Sequence, residues 1–150
     1  MSPVMSDPHV DKIQAVLPSR WDVDALRAGA SVCLTLAVPF RLVAVLVDSD
    51  SSGLNFLFFA LFLGFFVIGS GCAAWVQRTG TPLSHALVTA VAAYVVAEAV
   101  FIAIRLIRGT EVPWGALLLT FSFVSLAGVI GGFLGSRLRA LRLAFSTVPF

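Results

Sequence analysis

Hydrophobic residues in this chain are concentrated in four long runs, which short polar segments separate. Each run has 20–23 residues, and the runs cover 28–47, 54–76, 86–107 and 114–135. An α-helix needs about 20 apolar residues to cross a hydrocarbon core about 30 Å thick. The pattern therefore predicts transmembrane spans at about 24–47, 54–76, 84–107 and 114–135.

The polar connections between the runs are short, at 48–53, 77–85 and 108–113. Short connections make consecutive helices antiparallel neighbours. The expected fold class is therefore all-α integral membrane: an up-down four-transmembrane-helix bundle over residues 24–135, with N- and C-terminal interfacial helices.

Residues 1–23 are predicted to form a cytoplasmic segment with a short amphipathic helix, whose apolar face carries Val10, Ile13 and Leu17. Ser19 and Asp22 fit a capping box, so the helix of the first span is expected to begin near residue 20. The first 20 residues lack the long apolar core of a cleaved signal peptide. We therefore expect the first span to direct insertion and to remain in the protein.

Residues 136–150 are predicted to be a basic cytoplasmic tail that leaves the bilayer along its inner surface. Three arginines in this tail are candidates for contact with anionic lipid headgroups: Arg137, Arg139 and Arg142. Such contacts contribute about 1 kcal/mol per basic residue near the membrane surface. The alternative is that the three arginines only anchor the topology.

Composition excludes a soluble domain. Apolar residues make up 59% of the 150 residues, charged residues make up 12%, and the mean hydropathy is +0.98. Soluble domains average about 45–50% apolar residues, and a soluble protein of this size has too small an interior for the excess. The net charge of +2 is too small to indicate binding to nucleic acid.

The distribution of basic residues predicts the orientation. Arg105 and Arg108 lie at or near the connections on one side of the four spans. Seven basic residues lie on the side that holds both termini: Lys12, Arg20, Arg27, Arg78, Arg137, Arg139 and Arg142. By the positive-inside rule, both termini are predicted to be cytoplasmic.

Small residues recur at helical spacing in the second and fourth spans: Gly64, Gly69, Ser125, Gly128, Gly132 and Gly135. Small residues at spacings of three and four let helix backbones approach closely, which is how helices associate in a bilayer. The pattern predicts that these two spans pack tightly, either on each other or on a partner.

Phenylalanine covers most of the circumference of the outer half of the second span, at Phe56, Phe58, Phe59, Phe62 and Phe66. One helix of a four-helix bundle cannot turn all of these rings inward. Some of them are therefore expected to face lipid or a partner helix.

Three charges lie within the apolar runs: Arg41 in the first span, Glu98 in the third, and Arg105 near the end of the third. The depths of Arg41 and Glu98 from the outer ends of their spans differ by three residues, or roughly 4–5 Å along the axes, which an arginine side chain can bridge. The prediction is an intramembrane ion pair that acts as a structural tie or a partner contact. A proton- or ion-coupled role for Glu98 is the alternative. Arg105 is expected to extend outward and to meet Asp48 or Asp50.

Few residues offer reaction chemistry. His85 adjoins Ser84, but adjacent helical residues point in different directions and do not form a nucleophile–base pair. Cys33 and Cys72 lack metal-site spacing and are interpreted as small packing residues. The sequence therefore predicts no catalytic residue, no metal site, no cofactor and no enzymatic activity.

Two segments of this chain resemble a family of small membrane proteins: VIGSGCAAWVQRTGTPLSHALVTAVAAY (67–94) and FVSLAGVIGGFLGSRLR (123–139). Together they resemble the small four-span bacterial membrane proteins of the YrzE-like kind, from which this chain departs in its longer N-terminal segment and in Arg41 and Glu98. The resemblance implies the fold and a bacterial plasma (inner) membrane location, and it assigns no chemistry. The arginine-rich, compact form is also similar to accessory subunits of actinobacterial Mce-type lipid importers.

The functional hypothesis is a non-enzymatic accessory or structural subunit that packs against a larger membrane complex, such as an envelope lipid transporter, or against itself. Membrane lipids and other integral membrane subunits are the expected partners. The alternative is a small homo-oligomeric transporter or channel that uses Glu98.

Overall fold

The computed structural model describes residues 21–47 and 51–146. These residues form four helices: α1 (Val23–Val47), α2 (Ser52–Val76), α3 (Pro82–Ile107) and α4 (Trp114–Ser146). Each helix is long and apolar enough to cross a membrane. The predicted four-span helical bundle is thus confirmed, and the chain is a multi-pass membrane protein. The amphipathic helix predicted around Val10, Ile13 and Leu17 lies outside the described residues.

Local signals set the helix ends. Asp22 is the N-cap of α1, since its Oδ1 accepts the backbone N–H of Ala25 at 3.1 Å. The helix therefore begins at Val23 rather than near residue 20. At the end of α3, Gly109 has a φ of 65°. The N–H of Thr110 reaches the Arg105 carbonyl oxygen at 3.0 Å, which completes a Schellman-type cap.

The fourth helix continues well beyond the predicted span. It has 33 residues and a length of about 50 Å, against a hydrocarbon core of about 30 Å. Residues 136–146, which the sequence predicted as a basic tail with a helix continuing from the fourth span, are the last three turns of this helix. The end of the bundle where α1 begins and α4 finishes is called the basic end below, and the other is called the far end.

The two middle helices form the centre of the bundle. Helices α2 and α3 pack on each other, and α1 and α4 each contact both of them from opposite sides. Among the described residues, α1 and α4 do not touch. The predicted close packing of the second and fourth spans is the most extensive helix contact in this arrangement.

The side chains between the helices are small towards the basic end of the bundle and large towards the far end. Towards the basic end, helices meet through glycine: a Cβ built on Gly69 would lie 2.9 Å from the backbone nitrogen of Cys33 in α1. A Cβ on Gly131 of α4 would lie 3.0 Å from the backbone nitrogen of Gly71 in α2. The Gly69 distance is shorter than real Cβ atoms show, and the added Cβ of Gly131 would also collide with the Val67 backbone oxygen, so glycine is what permits these crossings. Towards the far end, phenylalanine rings fill the space between the helices.

Candidate functional site

The ion pair between α1 and α3 lies in the far half of the bundle. Arg41 Nη1 contacts Glu98 Oε1, so the structure brings together the two charges that the sequence singled out. Glu98 is buried, with 5% of its surface exposed. The Arg41 guanidinium also lies over the ring of Phe101, 4.5 Å from its centroid, which adds cation–π attraction to the pair.

Tyr94 lies one helical turn before Glu98 on the same inward face of α3. Its hydroxyl donates a hydrogen bond to the carbonyl oxygen of Leu117 in α4 at 2.8 Å. Its ring packs against Phe66 of α2 and Phe121 of α4, with centroids 6.4 and 6.0 Å away. Tyr94 therefore joins α3 to α4, while the ion pair joins α3 to α1.

A cavity of about 310 Å³ adjoins the ion pair at the far end of the bundle. Residues from all four helices and from the last connection line it: Phe40, Arg41, Ala44, Phe58, Phe59, Phe62, Glu98, Arg105, Pro113, Ala116, Leu117 and Thr120. Glu98 and Arg105 are seven residues apart, so the cavity extends about 10 Å along α3. Mostly apolar walls thus surround two guanidinium groups and one carboxylate.

Arg105 sits towards the outer limit of this cavity. Its Nη1 donates a hydrogen bond to the backbone carbonyl oxygen of Glu111 at 3.2 Å. The predicted partners Asp48 and Asp50 lie outside the described residues, so their contact with Arg105 stays a prediction.

The predicted phenylalanine surface is divided by the fold. Phe62 and Phe66 do not face outward; both are buried in the core, because α2 is a central helix with neighbours on three sides. Phe58 and Phe59 are half-buried and line the cavity. Phe56 is 72% exposed, so it alone of the five lies fully on the outer surface.

The predicted packing residues differ in how closely they approach a neighbouring helix. Gly128 and Gly132 face α3, where added Cβ atoms would meet Ala90 and Ala86, and Gly69 and Gly135 sit at other helix crossings. Ser125 is half-buried and donates to the carbonyl oxygen of Phe121 in its own helix at 2.8 Å. Gly64 makes no close contact, since an added Cβ would meet no atom within 4 Å.

The three basic residues of the α4 extension have distinct environments. Arg139 Nη1 donates to the backbone carbonyl oxygen of Gln77 at 2.7 Å, so it caps the C-terminal end of α2. Arg142 lies over the ring of Trp75 at 5.8 Å, and Arg137 lies over Phe133 of its own helix at 5.0 Å. Contact of these arginines with anionic lipid stays a prediction.

A polar network at the basic end was not anticipated from the sequence. The Asp22 N–H donates to His85 Nε2 at 2.9 Å, and the Arg78 N–H donates to Asp22 Oδ2 at 3.0 Å. His85 Nδ1 lies 2.9 Å from the Thr81 carbonyl oxygen. Hydrogen bonds from the Ala25 and Arg78 amides, and the nearby Arg78 charge, hold the pKa of Asp22 below its ordinary value of 3.8.

This network joins the start of α1 to the connection between α2 and α3. The sequence signal was Asp22 directly before an apolar run, which marks an N-cap. Its link to His85 spans 63 residues and depends on the tertiary fold. His85 is fully buried in the first turn of α3.

In residues 21–47 and 51–146, no group of three or more His, Cys, Asp or Glu side chains could hold a metal ion. Comparisons with protein-family models, with curated proteins and with solved structures found no match for this chain. Its function is therefore inferred from its own residues and their geometry.

Proposed function

We propose that this protein is a non-enzymatic accessory subunit of a larger membrane complex, and that a transmembrane helix of a partner packs against α2. The observation that carries the proposal is the pair Ala60 and Gly64. Ala60 is exposed, and Gly64 is open to the outside of the bundle. Small residues four apart let a second helix approach closely in a bilayer.

Gly64 differs from the other described glycines that lie inside a helix and beyond its first turn. At every one of those, an added Cβ would meet a neighbouring helix within 4 Å. At Gly64 it would meet nothing, and larger side chains flank this position, with Leu61 44% and Ile68 52% exposed. The surface therefore has a groove between ridges, which is the shape that receives a partner helix.

The ion pair supports a structural role. Arg41 and Glu98 hold α1 against α3 at one register, because any axial slip would leave a buried charge without its partner. Such a tie stabilises a scaffold without requiring Glu98 to change its protonation state. The class of complex that the sequence resemblance indicates is an envelope lipid transporter.

We further propose that the protein lies in a bacterial plasma membrane with both termini in the cytoplasm. The excess of basic residues at the basic end supports this orientation. Reporter fusions test it: phosphatase fused after Arg108 should be active, and phosphatase fused after Arg78 should be inactive. The reverse pattern would show the opposite orientation.

Cross-linking with mass spectrometry in native membranes tests the accessory role. Recurrent cross-links to one other integral membrane protein are expected, and Gly64→Leu should remove both them and co-purification in mild detergent. Val96→Leu is the matched control, because Val96 is 54% exposed on α3 away from the groove. Recovery of a lone monomer in both native membranes and detergent would contradict the proposal.

A small homo-oligomeric transporter or channel is the second candidate, favoured by the presence of Glu98 in the wall of the cavity. A proton-coupled carrier would need this carboxylate to bind and release a proton. In proteoliposomes with an entrapped pH dye, the wild-type protein should then collapse a pH gradient, and Glu98→Gln should not. Equal proton flux in the two proteins would rule out this use of Glu98.

A further inference from the structure

We propose that the far-end cavity binds the anionic head of an amphiphile, a carboxylate or a phosphate on an apolar chain, with Arg105 as the main anchor. The site is separate from the Ala60–Gly64 groove on α2, and it does not depend on the accessory role. It rests on the charges that line the cavity, on the chemistry of its walls and on its size.

The charges of the cavity favour an anion. Arg41, Arg105 and Glu98 are the ionisable side chains in its lining. Arg41 and Glu98 neutralise each other, which leaves the guanidinium of Arg105 as excess positive charge. Among the described residues, Arg105 forms no ion pair, and its Nη1 is held only by the neutral Glu111 carbonyl. A guanidinium has five N–H donors, so Arg105 can bind a carboxylate or phosphate, including in place of the predicted contact with Asp48 or Asp50.

The walls favour an apolar chain. Four phenylalanine rings, Phe40, Phe58, Phe59 and Phe62, join Leu117 and Pro113 around the cavity. The rings of Phe40 and Phe58 pack 5.3 Å apart at their centroids, so this wall is preformed. A free hydrated anion gains little from such walls, whereas an acyl chain buries about 0.8 kcal/mol per methylene group.

The size fits a small amphiphile. A volume of about 310 Å³ lies at the lower end of the range for ligand sites, about 300–1,000 Å³. The cavity can hold a head and part of a chain, and the remaining chain would continue into the bilayer. A cationic amphiphile would instead meet two guanidinium groups against one carboxylate.

Native mass spectrometry of the full chain in a nonionic detergent tests the proposal with probes that share a 12-carbon chain. The probes are laurate, dodecyl phosphate, dodecanol and dodecyltrimethylammonium, with inorganic phosphate as the free head. Laurate and dodecyl phosphate should bind at least 10-fold more tightly than dodecanol or the cation. Inorganic phosphate should bind at least 10-fold more weakly than dodecyl phosphate.

Variants with opposite expected effects locate the site. Arg105→Gln should weaken binding of dodecyl phosphate about 10-fold or more. Glu98→Gln should tighten it, because the Arg41 charge is then no longer neutralised. Arg108→Gln is the matched control: it removes the same charge one turn away, from a residue outside the cavity lining, and should change binding less than 2-fold.

Three results would overturn the proposal. Preferred binding of dodecyltrimethylammonium, abolished by Glu98→Gln, would assign the cavity to cations. Equal binding of inorganic and dodecyl phosphate would show a plain anion site. Equal effects of Arg105→Gln and Arg108→Gln would show nonspecific surface attraction. None of these results depends on whether a partner helix packs on α2, so the two proposals fail separately.

Discussion

Replacing Arg41 with methionine removes one half of the buried ion pair and leaves the other half in place. Methionine keeps much of the apolar length of the side chain, so contact with Phe62 and Phe101 is largely retained. Glu98 would then be a carboxylate with 5% of its surface exposed and without its partner. We expect the single variant Arg41→Met to lose a large part of the stability of the bundle.

The magnitude follows from the geometry. Removing one partner of a buried pair costs about 3 kcal/mol, because it leaves an uncompensated charge. The guanidinium 4.5 Å from the Phe101 centroid contributes about 1 kcal/mol more. The double variant Arg41→Met with Glu98→Met keeps neither charge, so it should lie within about 1 kcal/mol of the wild type. The single variant should therefore be about 3 kcal/mol less stable than the double variant.

Reversible unfolding in mixed micelles of increasing dodecyl sulfate content measures these differences through helical circular dichroism. Arg108→Met is the control, since its side chain is exposed and its loss should change stability by less than about 0.5 kcal/mol. If the single and double variants unfold at the same dodecyl sulfate content, the pair is not coupled. The structural tie would then be refuted.

Three further predictions concern packing, pH and the Tyr94 hydroxyl. Gly131→Ala should destabilise the bundle by about 2 kcal/mol or more, because its Cβ would collide with α2. Gly64→Ala should change stability by less than about 0.5 kcal/mol, because its Cβ would meet no atom. The same unfolding titration compares the two variants. The pKa of Asp22 is lowered in the fold by the Ala25 and Arg78 amides, so its stabilising effect is present above its ordinary value of 3.8 and is lost as pH falls through the lower folded pKa. Asp22→Asn should therefore reduce the fall in melting temperature between about pH 5 and pH 3, and an unchanged fall would contradict the network at the basic end. Tyr94→Phe should cost about 1 kcal/mol through the lost bond to the Leu117 carbonyl, and a neutral result would show that this bond adds nothing.

Local patterns determined the helices themselves. Each apolar run is long enough to span a bilayer, and the short connections force antiparallel order. Predicted and observed ends agree within two residues for the first three spans, and Asp22, Pro82 and Gly109 mark three of those ends chemically. The fourth helix runs on into the predicted C-terminal helix, because its extension becomes polar without any signal that stops a helix.

The ion pair was accessible from the sequence because depth in a membrane can be counted. Arg41 and Glu98 are exceptional residues in apolar runs, and a rise of about 1.5 Å per residue places them at similar levels. The direction in which each of the two side chains faces within the bundle could not be derived from residue numbers in this way. That depends on the rotation of α1 and α3, which packing against α2 sets.

The order of the helices around the bundle was decided only by the tertiary structure. Phe66 is buried and Phe56 is exposed because α2 is central and has neighbours on three sides. Small-residue spacing alone could not separate Gly131, which meets α2, from Gly64, which meets nothing. The sequence by itself determined which segments cross the membrane, since transfer into lipid depends on composition and length. The structure decided which faces meet, and therefore placed Arg105 beside the ion pair in one cavity, since that depends on shape complementarity between distant segments.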